Sequence, residues 1–220
     1  MLAKNIYHGT ERVRGELMLS NKGMIETIGD NHWLGNGSYF YEDDFYAYKW
    51  IKNMFNRDNK KFDVNELFNK FIIIIGKHNI DDERIFNLDN PRHKMIYDKV
   101  YLECKKRLSN SNKFSHKVMA EGVVLNIMFN EMKFIDRFDV VIATFSMRRD
   151  KYSNEYMRLN SMPEKQICFK NLEKIKPDTI YNCLDKIDEF EECIRRLDFN
   201  SKNTTDINEY RVRRKKVKYR

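Results

Sequence analysis

Residues 33–41 read Trp-Leu-Gly-Asn-Gly-Ser-Tyr-Phe-Tyr, so two closely spaced glycines lead directly into a run of three aromatic side chains. Glycine adopts backbone conformations that other residues avoid, and the pair therefore predicts a tight loop. The aromatic run is typical of a strand. Asp43 or Asp44 can then cap a helix whose apolar residues recur near helical spacing. The stretch predicts a loop, a strand and a helix in succession.

Apolar patterns outside this stretch predict further elements of both kinds. A short strand at residues 3–10 is expected to break into a polar turn at His8-Gly9-Thr10. Other strands are expected at residues 71–76, 138–145 and 166–170, and helices at residues 12–22, 93–108, 117–133 and 184–197. Because strands and helices do not alternate strictly, the order favours an α+β fold with a largely antiparallel sheet.

Length and composition favour one globular domain at residues 1–199, followed by a basic, flexible tail at residues 200–220. The chain has 220 residues, of which 41% are hydrophobic, enough for one core. The most apolar run, residues 71–76, is much shorter than the roughly 20 residues of a membrane span, so it predicts a buried strand. The first residues show no hydrophobic signal core, and we expect a cytoplasmic protein that does not enter a membrane.

The positive charge is concentrated at the C-terminal end. Residues 211–220 carry seven basic side chains and no acidic one, and subtracting these seven from the net charge of +8 leaves +1 for residues 1–210. Such a tail can bind phosphate backbones without sequence preference. It can equally be a solvated charged end.

The cysteines and histidines give no support for a metal site. Four widely spaced cysteines form no Cys-x-x-Cys pair, and the five histidines show no zinc-binding spacing. In a cytosolic protein the cysteines are expected to be buried free thiols. They are Cys104, Cys168, Cys183 and Cys193.

Two further motifs lie far from the glycine-rich loop: Tyr7-His8-Gly9-Thr10 near the start of the chain, and Pro-Glu-Lys-Gln-Ile-Cys-Phe at residues 163–169. Singly, each motif and the Gly-x-Gly pair are weak signals. The Gly-x-Gly pair lacks the third glycine of a dinucleotide-binding turn, and no hydrophobic strand precedes it. A dinucleotide fold of the Rossmann type is therefore rejected.

Together and in this order, the motifs resemble the ADP-ribosyltransferase superfamily. The closer likeness is to the His-Tyr-Glu branch, which includes diphtheria toxin and the poly(ADP-ribose) polymerases. In that branch a strand ends in His-Gly, usually followed by Thr or Ser, as at His8-Gly9-Thr10. A second element reads Gly-x-Gly followed by aromatic residues and then a helix with an Ala-x-x-aromatic pattern, as at residues 35–40 and 47–50. The resemblance spans residues 5–175 and implies split, largely antiparallel sheets flanked by helices.

The resemblance implies that the protein uses NAD⁺ as co-substrate, without a metal. His8 would bond an adenosine ribose hydroxyl, the Gly9 backbone would pair with the nicotinamide amide, and Tyr39 would stack on the nicotinamide ring. Supporting contacts are expected from Thr10, Gly37 and Tyr41. Taken singly, His8 also has an ordinary explanation as a turn residue, and Tyr39 as a core aromatic.

The residue at the position of the family's catalytic acid is a glutamine. Gln166 directly precedes the apolar residues of the last motif, and Glu164 lies two places earlier. Alternate residues of a strand share a face, so both side chains can reach one pocket. Glutamine bonds a ribose hydroxyl but offers no full negative charge to an oxocarbenium-like centre. Gln166 is the first choice for the catalytic position and Glu164 the second, and mono-ADP-ribosylation is expected.

The resemblance extends to small bacterial or phage-associated transferases, which implies a toxin of a toxin–antitoxin or phage-defence system with a neutralising antitoxin as partner. Residues 145–161 would form the loop that touches the acceptor, and its basic side chains favour RNA or DNA, with protein left open. They are Arg148, Arg149, Lys151 and Arg158. Two alternatives remain: a catalytically degenerate module that binds NAD⁺ or nucleic acid, and a nucleic-acid-binding protein that acts through its tail.

Deleting residues 211–220 distinguishes a transferase from a nucleic-acid-binding protein that acts through its tail. A transferase keeps NAD⁺ cleavage and shows only weaker acceptor capture, whereas a protein that acts through its tail loses its function. Nicotinamide release and nucleic-acid binding by the full and shortened chains measure the two effects.

Overall fold

The computed structural model describes residues 2–29, 32–58, 62–110, 120–146 and 163–202. Seven strands alternate irregularly with helices in this part of the chain. The strands are β1 (Asn5–Glu11), β2 (Ser38–Tyr41), β3 (Phe71–His78), β4 (Ile85–Asn87), β5 (Val140–Ser146), β6 (Pro163–Phe169) and β7 (Ile175–Ile180). The helices are α1 (Arg12–Asn21), α2 (Asp44–Asp58), α3 (Val64–Lys70), α4 (Pro91–Asn110), α5 (Glu121–Asn126) and α6 (Ile187–Lys202). Within these described ranges no helix has the length and apolarity to cross a membrane.

The strands form one sheet in the order β4-β5-β6-β2-β1-β3-β7. The pairs β1–β2, β1–β3, β2–β6 and β3–β7 are antiparallel, and β4–β5 is parallel. The predicted α+β class and largely antiparallel sheet are confirmed.

The sheet has a weak joint near its middle. β1 pairs with β3 along its whole length, from Asn5–Lys77 to Glu11–Phe71. With β2 on its other side it pairs at one position, Tyr7 with Tyr41. The strands β4, β5, β6 and β2 are thus joined to β1, β3 and β7 through a single residue pair. We call this place the β1–β2 joint.

Strand alternation assigns the side chains at the joint to two faces. On one face, His8 shares a hydrophobic core with Phe40 and Ile74, and Met18 of α1 packs into that core. On the other face Gly9 lies directly under α2, because a Cβ there would come within 2.9 Å of the Ala47 carbonyl oxygen. Helices therefore cover both faces of the sheet.

A second core lies on the face opposite His8, where α4 and α5 pack over β4, β5 and β6. It includes Leu34, Phe86, Val124, Leu125, Met128, Phe129, Phe138, Val141 and Cys168. Each fully buried aliphatic or aromatic side chain contributes roughly 1.5–3 kcal/mol. The helix α5 continues as a π-helical turn over Ile127–Glu131, which keeps Met128 and Phe129 buried in this core.

The turn predicted at His8-Gly9-Thr10 is wrong. All three residues belong to β1 and pair with Ile74, Ile73 and Ile72 of β3. The apolar run at residues 71–76 forms a long partner strand, and backbone pairing with this strand keeps His8, Gly9 and Thr10 extended within the sheet.

The sequence patterns missed three short elements. β4 has three residues, and β7 contains Pro177, a residue that strand patterns discount but that an edge strand tolerates. α3 has only seven residues, too few for a clear period, and begins after Asp63, whose side chain accepts a hydrogen bond from the Glu66 amide at 2.9 Å.

Boundaries of the predicted elements also moved. The strand expected at residues 138–145 is Val140–Ser146, and the one expected at 166–170 is Pro163–Phe169. The helix expected at 184–197 begins as a 3-10 turn, Leu184–Lys186. The part of the helix at 117–133 that precedes Ala120 lies outside the described residues.

The chain divides into two compact units. The first consists of Met1–Phe145 and Glu164–Asn182 and contains nearly the whole sheet. The second consists of Ser146–Pro163 and Cys183–Arg220, and its main described element is α6. The predicted basic tail at 211–220 lies outside the described residues, so the domain at 1–199 with a tail stays a prediction.

The loop before β2 requires both of its glycines. Gly35 and Gly37 have φ angles of +75° and +148°, which favour glycine. A Cβ at Gly35 would lie 2.3 Å from Asn126 Oδ1 and 2.7 Å from the Gly122 carbonyl oxygen. The loop is therefore pressed against α5, and the chain needs glycine at this point for space as well as for conformation.

We predict that Gly35→Ala lowers the free energy of unfolding by about 2–4 kcal/mol, because a left-handed backbone and a steric clash both add strain. Gly23→Ala is the matched control, since its Cβ would meet its nearest neighbour at 3.7 Å. Urea unfolding of the two variants measures the difference. Equal stability of the two would mean that the loop moves away from α5 without strain.

Candidate functional site

His8 links the two strands at the β1–β2 joint through its side chain. Its Nδ1 lies 2.6 Å from the Tyr39 carbonyl oxygen. A carbonyl oxygen can only accept, so the proton is on Nδ1 and Nε2 is left as an acceptor. Nε2 is buried and has no hydrogen-bond partner among the described residues. The site thus contains a buried acceptor that a hydroxyl donor would satisfy.

The environment of His8 keeps its ring neutral. Burial lowers the pKa of His8 from 6.5 to about 4, the bond to the Tyr39 carbonyl opposes this shift, and the positive charge of Arg14 adds to it. The ring therefore carries no charge at neutral pH. A neutral ring with Nδ1 committed to Tyr39 can act toward a ligand only as a hydrogen-bond acceptor.

Ser38 places a second polar atom without a partner beside the joint. Its side chain is fully buried, and Oγ has no hydrogen-bond partner in the part of the chain that the structure describes. The pairing of Tyr7 with Tyr41 puts Ser38 on the same face as His8. Unsatisfied buried polar atoms are costly and uncommon, so these two atoms on neighbouring strands mark a candidate place for a ligand or water.

Thr10 lies on this face as well and is buried. A Cβ at Gly15 would come 2.9 Å from the Thr10 methyl group, so α1 packs closely against the residue. This packing explains the buried methyl group, whereas the role expected for Thr10 toward a ligand stays a prediction.

Tyr39 has a hydroxyl that is committed to the glycine-rich loop. It donates to the Gly35 carbonyl oxygen at 2.5 Å and accepts from the Leu34 amide at 3.1 Å. Burial raises the pKa of Tyr39, so the phenol stays protonated. Its ring lies 5.6 Å from that of His32 and is partly exposed. The hydroxyl of Tyr39 is thus engaged within the protein, and the stacking role expected for its ring stays a prediction.

Gly9 and Gly37 each have a packing reason to be glycine. A Cβ at Gly9 would lie 2.8 Å from Ile51 Cγ2, beneath α2. A Cβ at Gly37 would lie 2.5 Å from the Phe169 carbonyl oxygen on β6. Close approach of a ligand is not needed to explain either residue. Their expected contacts with NAD⁺ stay predictions.

Gln166 and Glu164 form a buried hydrogen-bonded pair on the opposite face of the sheet. Each is 8% exposed, and Gln166 Nε2 donates to Glu164 Oε1 at 2.8 Å. Lys49 of α2 donates to the other carboxylate oxygen, Oε2, also at 2.8 Å. The two residues of β6 do share one face, as strand alternation predicts. We call Lys49, Glu164 and Gln166 the β6 polar chain.

Two tyrosines border the β6 polar chain. Tyr41 pairs with Gln166 across the β2–β6 ladder and is 7% exposed. Burial, and then the charge of Glu164, raise the pKa values of Tyr41 and Tyr46. Lys49 Nζ lies 5.4 Å from the centre of the Tyr46 ring, within range of a cation–π interaction. Both tyrosines therefore remain neutral hydroxyl groups beside a charged carboxylate.

Sequence reasoning missed Lys49, Tyr46 and Ser38. Lys49 and Tyr46 belong to a helix assigned by its apolar spacing, and the position of a lysine on that helix does not show which strand it faces. The resemblance did include Lys49 within residues 47–50, but only as a spacer. The expected acceptor-loop residues Arg148, Arg149, Lys151 and Arg158 lie outside the described residues.

The structure places the predicted site residues in two groups. His8 and Thr10 lie on one face of the sheet, while Tyr39, Tyr41, Glu164 and Gln166 lie on the other. The bond from His8 to the backbone of Tyr39 connects the groups at the joint. Among the described residues no cluster of His, Cys, Asp or Glu has the arrangement of a metal site, and no disulfide links the four cysteines. Cys168 and Cys183 are buried as expected, whereas Cys104 and Cys193 are partly exposed.

The chain is an α+β protein, and the two polar groups form a candidate site beside the β1–β2 joint. The chain is similar to the uncharacterized protein MJ0359 of Methanocaldococcus jannaschii, with 36% identity over 199 residues that cover 84% of this chain and 90% of the relative. It belongs to the same family as that protein. No protein-family profile and no solved structure matches it.

We predict that His8 makes the fold sensitive to acid. Below pH 6.5 the unfolded chain takes up a proton at His8 that the folded chain refuses until about pH 4. Stability is therefore lost as pH falls through this window, by up to about 3 kcal/mol. The free energy of unfolding, measured in urea at pH 7 and pH 4, should fall more in the wild type than in His8→Gln. Parallel losses in both proteins would contradict the buried neutral state.

Proposed function

We propose that this protein binds NAD⁺ and transfers its ADP-ribose unit to a nucleophile on a macromolecule, as a mono-ADP-ribosyltransferase. The observation that supports this most is the state of His8. Two motifs of the resemblance, distant in sequence, meet through its Nδ1 bond to Tyr39, and its buried Nε2 is left as an acceptor without a partner among the described residues. A ribose hydroxyl is the donor that such an acceptor would bind.

The proposed reaction exchanges one bond for another at the first carbon of the nicotinamide ribose. The bond to the nicotinamide nitrogen breaks, and its electron pair leaves with nicotinamide, which becomes neutral. The acceptor nucleophile forms the new bond to the same carbon and loses its proton to solvent or a base. Positive charge develops on the ribose between these events, and a nearby carboxylate stabilises it.

The residues on the two faces of the sheet would have different roles in this reaction. His8 Nε2 and Ser38 Oγ, on one face, would hold hydroxyls of the adenosine ribose. The ring of Tyr39 would stack against the nicotinamide ring and orient it for departure. Glu164 and Gln166, on the other face, would supply the negative charge and a hydroxyl acceptor, respectively.

A binding module without turnover is the second candidate, and one observation favours it. The residue at the acid position, Gln166, is uncharged, and the negative charge of Glu164 is paired with Lys49 at 2.8 Å. A compensated carboxylate stabilises a developing cation less than a free one does. NAD⁺ binding without nicotinamide release would establish this candidate.

The acceptor that we propose is nucleic acid, on the basis of the basic side chains in the sequence at residues 148–158 and 211–220. A toxin of a toxin–antitoxin or phage-defence system, restrained by an antitoxin protein, is the setting that the resemblance supports. We place this activity in the cytoplasm. A protein acceptor would appear as label on polypeptide in the experiment below.

Purified protein should release nicotinamide from NAD⁺ in the presence of its acceptor, and His8→Ala should reduce the rate at least about tenfold through loss of a hydrogen bond to the sugar. His78→Ala is the matched control, because His78 is also a strand histidine with one unpartnered nitrogen but lies on β3. The assay uses labelled NAD⁺ with RNA, DNA and cell lysate, and thermal unfolding confirms that both variants fold. Equal loss in both variants would argue against a role for His8 in binding.

A further inference from the structure

The amide of Gln166 has two ends of nearly equal shape but opposite function. The NH₂ end only donates hydrogen bonds, and the carbonyl end only accepts them. Which end a ligand meets depends on which end the protein itself engages. In the β6 polar chain, Nε2 donates to Glu164 Oε1 at 2.8 Å. The carbonyl oxygen is therefore the end that is not bonded to Glu164.

Glu164 can select this orientation only while it is an ionised acceptor. A carboxylate accepts hydrogen bonds at both oxygens and donates none. Reversing the Gln166 amide would bring its carbonyl oxygen against Glu164 Oε1 at hydrogen-bond distance, where two acceptors repel. A protonated or amidated side chain at position 164 could donate instead, and would then tolerate both orientations.

Lys49 supplies the charge that a buried carboxylate requires. Its Nζ lies 2.8 Å from Glu164 Oε2, and the two side chains are 14% and 11% exposed. A carboxylate this far from water is costly without a partner. Lys49 is itself held over the ring of Tyr46, and its helix α2 rests on Gly9 of β1. The Gln166 amide is thus held by Glu164, Glu164 is held by Lys49, and Lys49 is carried by α2.

We propose that Lys49 is a positioning residue that fixes, through Glu164, the orientation of the Gln166 amide, so that Gln166 presents a carbonyl acceptor to a hydroxyl-bearing sugar. This inference rests on the proposed function for the identity of the sugar, the ribose of NAD⁺. The orientation of the Gln166 amide would then determine which ligands bind. A ligand with a hydroxyl donor at this point is accepted, and one that offers only carbonyl or phosphate oxygens is rejected. In this role Gln166 accepts a hydrogen bond from the sugar hydroxyl without the negative charge that a glutamate would have.

The test follows the Gln166 side-chain amide directly and NAD⁺ binding separately. In ¹⁵N-labelled protein the two Gln166 amide protons, assigned from their loss in Gln166→Met, should have well-separated shifts because one of them is bonded to a carboxylate. Lys49→Met should bring the two shifts together and weaken NAD⁺ binding, measured by calorimetry, about tenfold. Lys49→Arg should restore both, because its guanidinium can also bond the carboxylate.

Lys52→Met is the matched control on the same helix, since Lys52 Nζ lies over the ring of Phe62. It should change neither measurement. Glu164→Gln is a second variant in case Lys49→Met does not fold, and it should also bring the amide shifts together and weaken NAD⁺ binding, because a glutamine at 164 accepts either orientation. Thermal unfolding of each variant establishes that it is folded.

Unchanged Gln166 shifts in folded Lys49→Met and Glu164→Gln would overturn the proposal, whatever their NAD⁺ affinity. Altered shifts with unchanged NAD⁺ affinity would overturn the assignment of Gln166 to the sugar. Failure of the wild type to bind NAD⁺ overturns the proposed function and the sugar assignment with it. The shifts would then still decide whether Lys49 orients Gln166, so the two failures are distinguishable.

Discussion

The hydrogen bond from His8 to the Tyr39 carbonyl holds together a sheet whose two groups of strands share one ladder pair, Tyr7 with Tyr41. The bond is partly buried, and replacing His8 leaves the Tyr39 carbonyl group without this donor. It requires a neutral ring with its proton on Nδ1, which burial maintains. The arrangement of the strands and the chemical state of the candidate site therefore depend on the same interaction.

Tyr39 occupies its place because the loop before it is anchored at several points. Lys170 donates to the carbonyl oxygens of Leu34 and Asn36, both at 2.5 Å, and Asn126 accepts from the Asn36 amide at 2.7 Å. Burial lowers the pKa of Lys170, yet the two carbonyl groups give its ammonium close partners. These bonds anchor the loop that carries the Gly-x-Gly pair, and Tyr39 follows directly from this anchored segment.

Sequence patterns predicted correctly those features that depend on neighbouring residues in the chain. The alternation of a strand predicted that Glu164 and Gln166 share a face, and the glycines at 35 and 37 predicted the loop before β2. The turn at His8-Gly9-Thr10 was wrong because β3 stabilises that segment as a strand, and no pattern within residues 3–10 records a partner at residues 71–78. Lys49 was missed for the same reason: its importance comes from a contact with Glu164, which lies on a distant strand. The site residues that the resemblance implies stay predictions, and their division between two faces is set by the sheet, which the motifs alone do not show.

The pairing of β2 with β6 joins two segments of the chain that are synthesised at different times. Tyr41 lies beside Gln166, and Ser38 beside Phe169, although β6 follows β2 only after most of the chain has emerged from the ribosome. A nascent chain that has already exposed His8 and Tyr39 still lacks the strand bearing Glu164 and Gln166. Pairings between such distant segments form slowly because a long loop must close first. The β6 polar chain, and any chemistry that depends on it, therefore forms only after β6 has paired with β2.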